Sequence, residues 1–407
     1  MTASPIAGGA DLEGFDFAVD DTTALHEILA ELRAAKPYAI VPFAGKHAVL
    51  LLTHELVGAA FRDEATFPAS AIYPLTTGPV LGKTLQCMSG REHRINRAIA
   101  SPPFRRGEVA RHVEPVLEPL AHELIDRFAD HGEADLVAEF TTRYPVLVIS
   151  RLLGLPVEDE DIVRRWAHDL FCYPFDPDSA LAASREFTEY LTPILEHRRR
   201  NPGDDLISTL VTATAEGERL DDEQVLAFLR LLFPAGADTT MLALANTLVA
   251  LLTHPDQLEL VRSAPDEHVQ WAIWEGLRWE PPVGLLPRIC PESTTWRGID
   301  IPASTPMIFS INAALRDPAA YPNPHRYDIT RRAADMLAFG QGPHTCAGTW
   351  LALAELRTAL AILLRRLPVL RIRDNATERA RITSQVGTAL RGPAELPVRW
   401  EVRRSST

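Results

Sequence analysis

Phe339-Gly340-Gln341-Gly342-Pro343-His344-Thr345-Cys346-Ala347-Gly348 is the stretch whose reading decides the fold. Three glycines and a proline within ten residues break any regular helix or strand, so the stretch must be a constrained loop. Directly after it, residues 350–366 are strong helix formers with apolar side chains on most faces. Cys346 therefore sits at or just before a helix N-terminus, where backbone N–H groups and the helix dipole favour a thiolate over a thiol. A thiolate flanked by small residues suits a soft metal or a haem iron. The plain alternative is a structural cysteine buried in a tight turn.

Working outward, the next informative segment is Asp221–Leu252. Asp221 followed three residues later by Gln224 has the form of an N-cap with a capping box. The following residues, about 30 of them, are apolar nearly all round, which predicts a helix buried through the centre of the molecule and on the order of 45–50 Å long. Its middle, Phe233-Pro-Ala-Gly-Ala-Asp-Thr-Thr240, is poorly suited to a regular helix. Pro234 removes a donor and crowds the carbonyl of Arg230, Gly236 weakens the helix, and Thr239 can bond back to the carbonyl of Ala235. A carboxylate beside such an opening needs a reason, because an unpaired buried charge is costly. Either Asp238 is salt-bridged elsewhere in a kinked core helix, or the notch takes a small ligand to which Asp238 and Thr239 relay protons.

The decapeptide resembles the haem-binding loop of the cytochrome P450 family, Phe-x-x-Gly-x-His-x-Cys-x-Gly, at every specified position. Ala235-Gly236-Ala237-Asp238-Thr239-Thr240 resembles that family's central helix, Ala-Gly-x-Asp/Glu-Thr-Thr; Pro234, where an apolar residue is expected, departs from it. Glu275-Gly-Leu-Arg278 matches the Glu-x-x-Arg pair, with Arg326 in Asn323-Pro-His-Arg-Tyr327 at the place of its third member. Taken alone such a pair is usually a solvated surface contact. His93 and Arg97, spaced i, i+4, together with Arg288 after the turn Gly284-Leu-Leu-Pro287, and His344, match positions that hold the haem propionates. Read singly, each would be a surface group. Ala313-Ala-Leu-Arg-Asp-Pro318 departs from the family's Ala-Asn-Arg-Asp-Pro. The resemblance runs from about residue 40 to the end of the chain.

What the resemblance implies can be set out residue by residue. The fold is mainly α with small β-sheets, a single large domain over residues 21–407 with haem between the long central helix and the helix after the cysteine loop. Residues 1–20 form a flexible N-terminal segment. Haem b binds with the Cys346 thiolate as proximal ligand, alongside Phe339, Gly340, His93, Arg97, Arg288 and His344. Glu275, Arg278 and Arg326 form a charge-assisted brace for the loop. The activity is monooxygenation: one atom of O2 enters an apolar small molecule (a terpenoid, steroid, fatty acid or aromatic) and the other leaves as water, with protons passed by Asp238 and Thr239. The expected substrate pocket comprises Ile72, Tyr73, Leu75, Leu81, Leu231, Ala235, Gly236, Leu285, Leu286 and Val386. No flavin or iron–sulfur segment is visible, so electrons are expected from a separate ferredoxin and its reductase. Arg105, Arg106, Arg111 and Arg357 are either a basic docking patch or ordinary surface arginines. Two rivals remain open at this stage, a peroxide-driven relative and a non-catalytic haem sensor with a second protein ligand.

Composition agrees with an enzyme. Apolar residues make up 46% of the 407, ample for a large core. A formal net charge of −13 argues against a nucleic-acid binder that works by phosphate neutralisation. Cys87, Cys172, Cys290 and Cys346 show no C-x-x-C spacing and read as reduced thiols. With no signal peptide, membrane anchor or internal repeat visible, the expectation is a cytoplasmic monomer. Along the chain, the patterns predict helices at 24–35 and 53–65, a hairpin of 38–43 with 47–52, a long loop over 67–89, helices from 91 to 252, short strands at 294–310, and hairpin material from 368 to 401.

Overall fold

The computed structural model describes residues 15–156, 160–173, 175–373 and 387–402. In chain order, the elements that carry or position candidate residues are α1 (Leu25–Ala35), β1 (Tyr38–Phe43), β2 (Lys46–Leu51), α2 (His54–Arg62), α3 (Tyr73–Thr76), α4 (Gly78–Leu81), α5 (Gly90–Ala100), α6 (Glu160–Asp169), α7 (Pro177–Arg200), α8 (Asp222–Thr253), α9 (Pro265–Trp279), β3 (Leu285–Cys290), β4 (Thr305–Ser310) and α10 (Thr349–Arg366). The mainly helical class with small sheets is as the patterns predict. The chain forms two compact units, one from residues 1–71, 245–346 and 374–394, the other from 72–244, 347–373 and 395–407.

In the first unit the central object is a four-stranded sheet of order β1–β2–β4–β3. The expected hairpin is present: β1 and β2 are antiparallel, and the turn places both Ala44 and Gly45 at positive φ, which suits the right-handed twist of the strands. β2 runs parallel to β4, with Val49, Leu50 and Leu51 opposite Met307, Ile308 and Phe309. Alternation along these strands feeds two cores. Val49, Leu51, Met307 and Phe309 pack with Phe61, Phe67 and Trp296, whereas Leu50 and Ile308 pack with Phe17, Leu25 and Leu29.

Two expectations about backbone structure fail in this unit for identifiable reasons. Residues 15–20, expected to be flexible, are tied down: Phe17 is buried, its N–H donates to the Pro42 carbonyl at 3.1 Å, and the Asp16 carboxylate accepts from Ala44 and Gly45 at the hairpin turn. The Gly284–Pro287 turn is instead the start of strand β3, which tolerates Pro287 because it lies at the edge of the sheet.

Still in the first unit, Glu275 and Arg278 on α9 are both buried and joined by two short hydrogen bonds, 2.8 and 2.7 Å. The remaining Arg278 donors reach the carbonyls of Leu315 (3.0 Å), Pro324 (2.8 Å) and Arg326 (3.0 Å). The third side chain of the brace is Arg331, whose Nε lies 3.4 Å from Glu275, and not Arg326. Arg326 is exposed and contributes only its carbonyl. The departure at Leu315 is harmless to the brace, since its backbone carbonyl supplies the contact.

In the second unit, the start of α8 is the expected capping box: Gln224 N–H donates to the Asp221 carboxylate at 2.8 Å and Asp221 N–H to the Gln224 side chain at 2.9 Å. α8 passes into the first unit after Leu244. It is the one helix among the described residues long and apolar enough to cross a membrane, and much of it is buried within the protein, as in a core helix. Trp166 on α6, Phe187 on α7 and Phe233 on α8 form a continuous aromatic seam, with ring centroids 5.6 and 5.0 Å apart. Strand pairing of 371–372 and 133–135 with 397–399 makes a small sheet. Residues 72–87, expected to be loop, are instead a run of short helical turns that includes α3 and α4.

Because Arg278 is buried with five hydrogen bonds to its name, Glu275→Ala would leave an uncompensated guanidinium. Its unfolding free energy should fall by about 3–5 kcal/mol. Glu275→Gln should fall by less, and denaturant titration of the two variants checks the order.

Candidate active site

The cysteine loop is built by backbone constraint. Gly340 and Gly342 adopt φ of +71° and +77°, and a Cβ on Gly342 would lie 2.5 Å from the Phe61 carbonyl oxygen of α2. Cys346 N–H donates to the Phe339 carbonyl at 2.9 Å, and Thr345 Oγ1 donates to the Gly342 carbonyl at 2.8 Å. α2 grips the loop further through Arg62, which donates to the Gln341 side chain, and the turn after α2 adds the Glu64 carboxylate, 3.0 Å from His344 Nε2. Phe339 is held edge-on against Trp274 at 6.0 Å. The outcome is a cysteine whose backbone is fixed while the residue itself is exposed, two residues ahead of Gly348, the N-cap of α10. The alternative of a buried structural cysteine is therefore excluded.

On α8, Thr239 Oγ1 donates to the Ala235 carbonyl at 2.7 Å, the expected back-bond. Among the described residues, a Cβ on Gly236 would meet only the Ile149 side chain, at an ordinary 3.8 Å, so a methyl would fit there. Among the described residues no ion pair or hydrogen bond to Asp238 is found, so the salt-bridged alternative has no support. Burial instead pushes the Asp238 carboxyl up to about 7. A group that titrates near neutrality exchanges protons readily in either direction. Cys172, which follows α6, lies within the field of Asp238, and its thiol is pushed up to about 11, first by burial and then by Asp169, Asp238 and Asp176. Its Sγ is 3.4 Å from His168. In the sequence Cys172 reads only as one of four reduced thiols, and nothing there marks His168 as its neighbour.

The four basic candidates fall in both units. His93 is buried on α5, one turn before Arg97. Arg288 is buried on β3, stacked over Phe309 at 5.8 Å, with Nη1 donating to the Pro287 carbonyl at 2.9 Å. His344 is mostly buried beside Glu64. Of the expected pocket residues, Ile72, Tyr73 and Leu81 are buried, and Leu231, Ala235, Gly236 and Leu286 are half-buried. Leu75 does not belong with them: the α3 turn that buries Tyr73 leaves Leu75 70% exposed. Leu285 is also removed, since alternation along β3 turns it away from Leu286 and into the core with Phe17 and Leu25. Val386 lies outside the described residues. Among the arginines, Arg105 and Arg357 are exposed, Arg106 stacks over Trp350, and Arg111 is paired with Glu108 at 2.8 Å.

Comparison with known proteins agrees with this geometry. The cytochrome P450 family model matches residues 178–394. The chain is 34% identical to mycinamicin IV hydroxylase/epoxidase of Micromonospora griseorubida over 91% of its own length and 94% of that protein. It is 32% identical to 6-deoxyerythronolide B hydroxylase of Saccharopolyspora erythraea, covering 96% and 98%. Among solved structures it resembles the myxobacterial cytochrome P450 CYP267B1 in complex with myristic acid, with a TM-score of 0.85, 29% identity, and 94% and 97% coverage. The chain belongs to the cytochrome P450 family, and it is a haem-thiolate monooxygenase, an oxidoreductase.

The family uses haem b with a cysteine thiolate as proximal ligand. The residues here fit that group. An exposed cysteine sits on a loop whose Gly342 has no room for a side chain, and in the same unit buried Arg288 offers donors suited to a carboxylate.

Raising the pKa of Asp238 above its unfolded value of 3.8 means the folded state favours the protonated form, so stability is lost as pH rises from about 4 through 7. Asp238→Asn should abolish that loss. At pH 8 the variant should be more stable than the parent by on the order of 4 kcal/mol, and at pH 4 the two should nearly coincide. Thermal unfolding across that range is the check.

Proposed function

We propose that Cys346 is the thiolate ligand of the haem, that Asp238 and Thr239 handle the protons of oxygen activation, and that the substrate is a neutral, predominantly apolar small molecule. When bound, the haem supplies activation of dioxygen and transfer of one oxygen atom. The protein's part is orientation, proton supply and exclusion of water. His93, Arg97, Arg288 and His344 would hold the propionates, and the Glu275–Arg278–Arg331 brace would keep the segment leading to Cys346 in place.

The observation that carries this reading is the middle of α8. A carboxyl that burial brings to about 7 lies next to a hydroxyl bonded to Ala235, beside a glycine whose missing side chain leaves room. A peroxide-driven relative has no use for a titratable acid and alcohol at this point. A haem sensor closed by a second protein ligand has no use for the space at Gly236.

The substrate class follows from the side chains at Ile72, Tyr73, Leu81, Leu231 and Leu286, which offer apolar surface and one phenol. The solved neighbour in complex with myristic acid supports a substrate with a large apolar part. Electrons would come from a separate ferredoxin with its reductase, with exposed Arg105, Arg106 and Arg357 as docking cations, and the enzyme would work in the cytoplasm as a monomer. Arg111 is a poorer docking cation, because Glu108 already neutralises it.

Gly236→Ala separates structure from function. The helix gains up to about 1 kcal/mol from the better helix former. The added methyl occupies the space proposed for the ligand, so turnover with ferredoxin, reductase and an accepted apolar substrate should fall at least roughly tenfold. A stabilised variant with undiminished turnover contradicts the assignment. Screening neutral apolar compounds for a shift of the iron towards high spin should identify substrates, and a response only to charged, polar compounds contradicts the pocket.

A further inference from the structure

Residues 72–87 carry three of the pocket residues but have no long helix or strand of their own to hold them. α4 has only four residues, so most of its carbonyls must find partners outside it. Two of those partners are side chains from distant elements of the same unit. Ser184 Oγ on α7 donates to the Val80 carbonyl at 2.6 Å, and Arg230 Nε on α8 donates to the Leu81 carbonyl at 3.1 Å. Arg230 is buried, at 6% exposure, on a stretch of α8 whose neighbours are nearly all apolar. Its Nη1 donates to Thr188 Oγ1 on α7 at 2.9 Å, and its Nη2 is paired with Glu223, two turns earlier on α8. One guanidinium thus joins three elements. Gly82 closes the arrangement: its φ is +79°, and a Cβ there would lie 2.8 Å from Arg230 Nη2.

A buried arginine is a poor choice if packing is all that is wanted, because a leucine or methionine would fill the space without desolvating a charge. The distribution of its partners suggests a different use. The bonds to α4 and α7 are to neutral acceptors, a carbonyl and a hydroxyl. The ionic partner, Glu223, is on Arg230's own helix and two-thirds exposed. If α4 and α7 separate from α8, the ion pair travels with α8 and no charge is stranded. The contact can therefore break and re-form.

We propose that Arg230 is a latch. It is a positioning residue that holds the 73–82 segment against α7 and α8, and so governs how fast molecules enter and leave the substrate pocket. The second half rests on the pocket reading given above; the first half does not.

Two measurements on the haem-loaded enzyme separate those halves. Hydrogen exchange followed by mass spectrometry should show the amides of 73–84 exchanging at least roughly tenfold faster in Arg230→Met, while the capping-box end of α8 is unchanged. Stopped-flow binding of 4-phenylimidazole, used as an iron-directed probe, should show association and dissociation both accelerated several-fold, with Kd moving far less than either rate. A purely structural role would lower stability without that paired change in rates. Unchanged exchange at 73–84 in folded Arg230→Met overturns the latch. Faster exchange with unaltered probe kinetics overturns the gating claim and the placement of this segment at the pocket. Should Arg230→Met fail to fold, the double variant Ser184→Ala, Thr188→Val removes two of the tethering bonds and leaves the ion pair intact; the same results are expected of it, and their absence overturns the proposal.

Discussion

The bidentate pair between Glu275 and Arg278 is the constraint on which the first unit depends. Two buried charges cost several kcal/mol each to desolvate and are tolerated only when every remaining donor and acceptor is used. Here they are. Arg278 spends its other donors on the carbonyls of Leu315, Pro324 and Arg326, and Glu275 also accepts from the Asp328 N–H and from Arg331. The irregular stretch from Leu315 to Arg331 is thereby fixed in the approach to Cys346. From there α2 and the turn after it take over, holding Gln341 through Arg62 and His344 through Glu64 while Gly342 lies against the last turn of the helix. The loop is rigid because its neighbours leave it no alternative.

A second device of the same kind operates in the other unit. α8 combines strong helix-forming ends, secured by the Asp221–Gln224 box, with a middle that its own sequence weakens at Pro234 and Gly236. The weak point holds Asp238 and Thr239. Placing a carboxyl there without a cation costs stability as pH rises from about 4 through 7, and a core selected for stability alone would have paired or replaced it. Such local conflict between stability and chemistry is expected at a functional site.

How much of this was legible in the sequence follows from the range of each interaction. Features set by residues a few positions apart were readable: the capping box, the 38–51 hairpin, the back-bond from Thr239, and the loop at Cys346 with its left-handed glycines. Features set by distant partners were not. Arg326 matched a spacing, but whether a side chain or only its carbonyl reaches Arg278 depends on how 323–331 fold over α9, and Arg331 proved the closer. Residues 72–87 read as loop because their helical turns are short and are held by Ser184 and Arg230, more than a hundred residues away. Leu75 and Leu285 were among the apolar candidates for the pocket, yet the turn at α3 and the alternation along β3 point them elsewhere. Phe17 follows an acidic, Gly-rich start of the chain, and the core it joins is built from β1, β2 and α1 rather than from its own neighbours.

The account stands or falls on the thiolate. The reduced, carbon monoxide-bound enzyme should show the strongly red-shifted Soret band of thiolate ligation, and Cys346→Ser should lose that band while retaining the fold. A parent protein that never shows the band, or a serine variant that keeps it, would contradict the assignment of Cys346 and the chemistry built upon it.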